Sequence, residues 1–208
     1  MARRTREESE KTRQALLQMA LEQYALHGIH NVSLKSIAAE AGVTHGALYW
    51  HFENRDDLIL ALCKSITLPF ERYYLEQLQA IDQDALKALN AFLIETICHI
   101  ASHQQSRQAF SLFYARRKEL PLHAGIQDTL ADEWDVWTGY INRFLKQARK
   151  QKQIAKKTKQ QCIAEAMLSQ VFGVLAVAEY MPEPVVFREM ASTTIHNAIR
   201  GLDATRCN

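Results

Sequence analysis

No glycine-rich phosphate loop, no serine nucleophile elbow and no spaced set of metal ligands occurs in these 208 residues, so the commonest sequence signs of an enzyme are missing. The four cysteines, Cys63, Cys98, Cys162 and Cys207, are scattered without a Cys-x-x-Cys pair or matched histidine spacing. That pattern argues against zinc and against a disulfide framework, and no cofactor is expected. The basic start Met-Ala-Arg-Arg-Thr-Arg is followed by no apolar run, so neither a secretory leader nor a membrane-spanning segment is expected and the chain reads as cytoplasmic. Charge of one sign is also scarce. The 25 Lys and Arg against 23 Asp and Glu leave a net charge of +2, which by itself predicts no polyanionic partner. Glu95, Cys98, His99 and His103 cluster in sequence, but Cys98 and His99 are neighbours that point to different faces of a helix, so they make no nucleophile and base couple and no enzyme is expected.

What is present is helical periodicity. A 48% hydrophobic composition with mixed charge supports one small and one larger core. From about Ser9 to His27 the residues Leu16, Leu17, Ala20, Leu21 and Tyr24 share a stripe, and Gly28 ends the run. Ser33 then caps a short helix with Leu34, Ile37, Ala38 and Ala41 at helical spacing, and Gly42 supplies the left-handed residue that stops it. Thr44 caps a second short helix in which Leu48 and Phe52 face inward while Thr44, His45, Tyr49, Trp50 and His51 face outward. Gly46 costs this helix roughly 1 kcal/mol against Ala, a cost that suits close approach by a phosphate backbone. Two short amphipathic helices around a tight glycine turn read as a helix-turn-helix. The candidate DNA-binding residues are Ser33, Lys35, Thr44, His45, Gly46, Tyr49, Trp50, His51 and Arg55, with a basic arm of Arg3, Arg4 and Arg6 ahead of the first helix. Residues 1–55 hold seven Lys and Arg against six Asp and Glu, so placement carries this reading and the total does not.

Over Ser33 to Ala41, Gly42-Val43-Thr44 and Gly46-Ala47-Leu48-Tyr49-Trp50-His51-Phe52, continuing to Leu58, the chain resembles the TetR family of bacterial one-component repressors, and within it the multidrug-efflux regulators. His45 stands where many relatives carry Arg or Lys, and Arg55 where Lys is usual, which makes any contact from position 45 weaker and pH-sensitive. The resemblance implies an all-α fold of about nine helices, with a three-helix DNA-binding domain at residues 1–53 and a helical ligand-binding and dimerisation domain at residues 54–208. It implies a homodimer that presents two recognition helices to successive major grooves about 34–36 Å apart. The partners it implies are double-stranded operator DNA and a small-molecule inducer, amphipathic and often cationic or planar aromatic, that relieves repression of an efflux operon. A regulator of metabolic genes sensing a metabolite, and a DNA-binding protein with no small-molecule response, stay open beside it.

The remainder of the chain is read as further helices. Asn54 caps a connector with Leu58, Leu62, Ile66 and Phe70 in register toward Leu78, about 35–40 Å long if continuous. Pro69 lies inside it and is expected to kink or break it. Asp84 opens a helix ending near His103, a short helix follows around Ser106 to Arg116, and a long one begins near Pro121. The run from Arg143 to Lys159, with eight cations and no acid, reads as a solvated helix end that complements the dipole. The aromatic excess in the middle helices suggests a ligand cavity walled by Ile66, Phe70, Tyr73, Phe92, Phe110, Phe113, Trp134, Trp137, Met167 and Gln170, with Glu95, His99 and Tyr114 as polar handles. The last two helices, joined through Pro182 and Pro184, offer Met167, Val171, Val174, Phe187, Met190, Thr194, Ile195 and Ala198 as an association face shared with the internal core.

Overall fold

The computed structural model describes residues 6–157, 159–181 and 184–202, and every regular element among the described residues is helical. Arg3, Arg4, Pro182 and Cys207 lie outside the described residues. Packing divides the chain into two compact units, Met1–Thr67 with Gln108–Leu130, and Leu68–Arg107 with Ala131–Asn208. The first unit is therefore larger than the 1–53 reading head, and the chain passes from one unit to the other at three places.

The first unit is organised on α1 (Arg6–His27), whose buried residues are Leu16, Leu17, Ala20, Leu21 and Tyr24, the stripe expected from spacing. Glu7 and Glu8 in its first turn complement the positive end of the helix dipole. Gly28 ends it at φ +81°, a backbone that strains any other residue, and a Cβ there would press on a Glu119 carboxylate oxygen at 3.2 Å. Then come α2 (Leu34–Glu40), α3 (His45–His51) and α4 (Arg55–Ser65). The expected short helix is α7 (Gln104–Phe110), which runs into a π-helical turn, Ser111–Ala115, within the first unit. The Arg116 guanidinium donates to the Ala25 carbonyl near the end of α1 at 3.4 Å.

The connector expected from Asn54 to Leu78 is two helices. α4 stops at Ser65, Ile66 is extended at φ −114° and ψ 122°, and Pro69 is the N-cap of α5 (Phe70–Leu78). The break has a local cause. The residue before a proline is pushed out of the helical region, and Ile66 and Thr67 are β-branched residues with stiff side chains. The Thr67/Leu68 boundary between the units falls in this break.

The second unit is built from α5, α6 (Ala85–Ser102), most of α8 (Ala124–Lys150), α9 (Gln160–Val177) and α10 (Pro184–Arg200). Rings fill its centre: Phe70 stacks on Trp137 at 4.2 Å, Tyr74 on Tyr140 at 4.2 Å and Phe92 on Phe144 at 5.6 Å. The orphan N–H groups of α6 are satisfied partly from far along the chain. Asp84 accepts from Lys87 N, Gln151 Oε1 from Ala85 N and Gln153 Oε1 from Leu86 N. That first bond is the main reason the Asp84 carboxyl is held below its ordinary range. α6 and α9 are long and apolar enough to cross a membrane by length and composition, and here that apolarity is spent on packing, with Leu89, Phe92 and Leu93 of α6 and Leu168 and Val171 of α9 buried.

The proposed association face is corrected by this packing. Met167, Val171, Val174, Phe187 and Ile195 are buried within the chain's own core, where α6, α9 and α10 meet, and Met190, Thr194 and Ala198 are half-buried. A broad apolar stripe at three and four residue steps cannot distinguish an internal partner helix from an external one. The outward residues of these helices are others, among them Ala166, Ser169, Gln170, Gly173 and Val177 on α9 and Val186, Glu189 and Thr193 on α10.

Tyr24 is fully buried with its hydroxyl lacking a hydrogen-bond partner, and burial pushes its pKa up to about 12. Because the folded state holds this proton more tightly than the unfolded chain, stability is unaffected below about pH 10 and falls as pH rises from there toward 12. Tyr24→Phe removes the unsatisfied group and leaves the shape, so urea denaturation at pH 7 is expected to give stability equal to or up to about 1 kcal/mol above that of the parent. The same variant should lose part of the alkaline decline between pH 10 and 12.

Candidate nucleic-acid interface

Helices α2 and α3 are set by bonds that close locally. Ser33 and Ser36 form a reciprocal capping box, Ser36 N donating to Ser33 Oγ at 3.0 Å and Ser33 N to Ser36 Oγ at 3.2 Å. At the other end Gly42 takes φ +69°, Gly42 N donates to the Ala39 carbonyl at 3.0 Å and Val43 N to the Ala38 carbonyl at 2.9 Å, the paired bonds of a Schellman motif. Thr44 Oγ1 accepts from Ala47 N at 3.2 Å and opens α3 at once. Only Gly42 and Val43 separate Ala41, the C-cap of α2, from this cap, so the turn angle is fixed by backbone bonding.

A seven-residue helix is too short to persist alone, so packing holds α3 in place. Leu48 and Phe52 are 0% and 1% exposed, while Trp50 is 73% and Tyr49 48% exposed. The two sides of the helix thus separate completely, as the spacing predicts. Arg13 of α1 lays its guanidinium 5.4 Å from the centre of the Phe52 ring, a contact that no sequence pattern suggested. On the outward side His45 meets the Tyr49 ring edge-on at 4.8 Å, and His51 meets Trp50 at 4.7 Å. Ser33, Lys35, Thr44, His45 and Gly46 are exposed and His51 half-buried, so these candidates share the solvent side of the two short helices. A Cβ added at Gly46 would meet nothing within 4 Å, so no internal crowding demands glycine there.

Arg55 has a partner within the head. Its guanidinium donates to the Val32 carbonyl at 3.1 Å, tying the start of α4 to the loop that precedes α2. The neighbouring cap is reciprocal, with Asp57 N donating to Asn54 Oδ1 and Glu53 N to Asp57 Oδ2, both at 3.0 Å.

The residues proposed as ligand walls divide between the two units, and several of those in the second are packed in its core. Phe70, Phe92 and Trp137 belong to the filled ring stack, Met167 is buried, Trp134 packs edge-on against Phe172 at 5.4 Å, and Gln170 is exposed. Ile66, Phe110 and Phe113 belong to the first unit. The polar handles are engaged as well: Gln77 Nε2 donates to Glu95 at 3.0 Å, and the Tyr73 hydroxyl shares a hydrogen bond with His99 Nδ1 at 3.1 Å. The His99 ring stacks on His103 with centres 3.6 Å apart, and burial first, then His103 and Arg72, lower its pKa. One opening in the second unit lies where the C-terminal end of α6 meets the α9 to α10 turn. It is a cleft of about 860 Å³ lined by Cys98, Ala101, Ser102, Arg107, Ala178, Met181, Val185, Phe187 and Arg188. Aromatic content gave no access to this place, because aromatic rings close a core as readily as they line a cavity.

A capped pair of short helices joined by a Schellman turn, with one helix buried on one face and aromatic and hydroxyl-bearing on the other, defines a helix-turn-helix DNA-binding protein. Residues 16–62 match the model of the bacterial regulatory proteins of the tetR family. Over 114 residues the chain is 32% identical to the transcriptional regulator AcrR of Shigella flexneri, covering 55% of this chain and 53% of that one, so the match spans about half the relative's length. It is 27% identical to the transcriptional repressor BepR of Brucella suis over 83% of both chains. The fold is that of NalD, described as the secondary repressor of the MexAB-OprM multidrug efflux pump in Pseudomonas aeruginosa, with a TM-score of 0.73 at 20% identity over 96% of this chain and 99% of that one. Residues 16–62 thus carry the DNA-binding domain of the tetR family of bacterial regulatory proteins.

The bond from Arg55 to Val32 generates a test. Arg55→Met should lower the stability of the head by about 1 kcal/mol, since a carbonyl loses a charged donor. The slope of log Kd against log salt for duplex DNA should stay as in the parent, whereas loss of a phosphate contact would reduce it by about one.

Proposed function

We propose that this protein is a ligand-responsive repressor that binds operator DNA as a homodimer in the cytoplasm, controls an efflux operon, and is released by a small molecule. The observation that carries the reading is the separation of faces on α3. Leu48 and Phe52 are consumed in holding the helix, so Tyr49, Trp50 and His45 stand exposed beside the capping Thr44. Lys35 and Ser33 at the start of α2 flank them, where the phosphates beside a docked recognition helix run. In this reading Thr44, Tyr49 and His51 grip phosphate, His45 and Trp50 face the groove, and Gly46 admits the backbone closely. The charge assigned to each contact follows from chemistry: hydroxyls and imidazoles can position a phosphate without a permanent cation.

Dimerisation is assigned to the outward sides of α9 and α10, since their inward sides are already occupied. Release follows from population shift. A ligand that favours a conformation of the second unit unsuited to the operator weakens binding by its differential affinity for the two states and by no more than that. The signal must travel along the three chain crossings, at Thr67/Leu68, within α7 and within α8. NalD, described as the secondary repressor of a multidrug efflux pump, supports the choice of target.

Fluorescence anisotropy with the intergenic DNA next to the protein's own gene tests the reading. The parent should bind that duplex far more tightly than unrelated DNA at the same salt, and Trp50→Ala should weaken specific binding roughly tenfold or more with the circular dichroism spectrum unchanged. Equal binding to both duplexes, or an unaffected Trp50→Ala, would contradict it.

A further inference from the structure

The cleft at the end of α6 has a chemical character that specifies its occupant. Its walls are apolar, made by Ala101, Ala178, Met181, Val185 and Phe187, and its two charged residues, Arg107 and Arg188, are both cations. Among the described residues no carboxylate lines it. Of the described acids near it in sequence, Glu95 accepts from Gln77 Nε2 and Glu189, the neighbour of Arg188, is exposed. Among the described residues the recorded ion pairs are Lys11 with Glu7 and Arg72 with Glu76, so neither guanidinium of the cleft is neutralised by a carboxylate. Arg107 is anchored by a 3.0 Å bond from its guanidinium to the Ala101 carbonyl, which leaves it further donors. Arg188 is exposed and close enough to Cys98 to oppose the rise that burial causes in the thiol's pKa. The volume, about 860 Å³, lies within the roughly 300–1,000 Å³ of small-molecule sites.

We infer that this cleft binds a small amphipathic carboxylate, its apolar tail against Met181, Val185 and Phe187 and its carboxylate on the forks of Arg188 and Arg107. A planar guanidinium matches a carboxylate with two parallel N–H bonds, and in an apolar setting such a pair is stronger than a neutral hydrogen bond. The same surroundings exclude amphipathic cations, which would bring a third positive charge among the two present. This rests on the ligand-responsive reading above and reverses the sign of charge that the resemblance implies for many ligands.

Cys98 makes the site directly observable, because it lines the cleft while Cys63 is buried and Cys162 exposed. The full chain is treated with iodoacetamide in the presence of decanoate, decanol or decyltrimethylammonium, each below its micellar concentration, and alkylation is read peptide by peptide. Decanoate should slow alkylation of Cys98 with Cys162 unchanged, decanol should do so only at much higher concentration, and the cation should not. Arg188→Met should weaken decanoate protection about tenfold and leave decanol unchanged. Protection by the cation at equal or lower concentration overturns the inference, as does an unaffected Arg188→Met. So does Cys98 protection that grows with protein concentration and without ligand, since the occupant would then be a second copy of this chain. Anisotropy on the same samples separates the two readings: decanoate that protects Cys98 without releasing DNA contradicts the regulatory reading alone, and release by the cation without protection of Cys98 contradicts the cleft alone.

Discussion

The burial of Leu48 and Phe52 is the constraint on which the working end of this protein depends. Seven residues of helix do not hold themselves together in water, and α3 carries no internal ion pair that would help. Two large apolar side chains, four residues apart and excluded from solvent, fix both its position and its rotation. Once rotation is fixed, the residues between them have no choice of side, and Tyr49 and Trp50 become a surface. The Schellman turn at Gly42 and the cap at Thr44 then set the angle from α2, and Arg13 closes over the Phe52 ring from α1. Function at this end is thus a by-product of how a marginal helix is held.

Local chemistry made this half of the molecule readable. The stripe on α1, the caps at Ser33, Thr44, Asn54 and Asp84, and the stop at Gly42 all depend on residues within one or two helical turns, and each is found where its side chain chemistry puts it. What escaped was decided at long range or by competition between equals. Gln151 and Gln153 serve N–H groups some 66 residues away, and nothing in their own neighbourhood marks that task. Pro69 carried the right signal, but the helix gave way four residues earlier, at Ser65, where β-branched residues and the pre-proline restriction act together.

The second half shows the limit of periodicity more sharply. Phe70, Phe92 and Trp137 have the spacing and size of a ligand wall, and they are instead packed on one another. The same ambiguity sends Val171, Val174 and Ile195 into the chain's own core, while the surfaces left over on α9 and α10 mix small and polar residues with the exposed Val177 and Val186. The cleft by contrast forms where helices diverge around a turn, and its character comes from residues, Arg107 and Arg188, separated by most of the second unit. Such a site exists only once the chain has folded.

Hydrogen exchange with and without the protein's own intergenic DNA measures the central claim most directly, namely that the outward face of α3 is the surface that reads DNA. The account predicts slowed exchange in residues 33–52, where α2, its turn and α3 lie, with the amides of α5 and α6 in the stacked core unchanged. Protection confined to the basic run at residues 143–159, with α3 exchanging as it does alone, would contradict it.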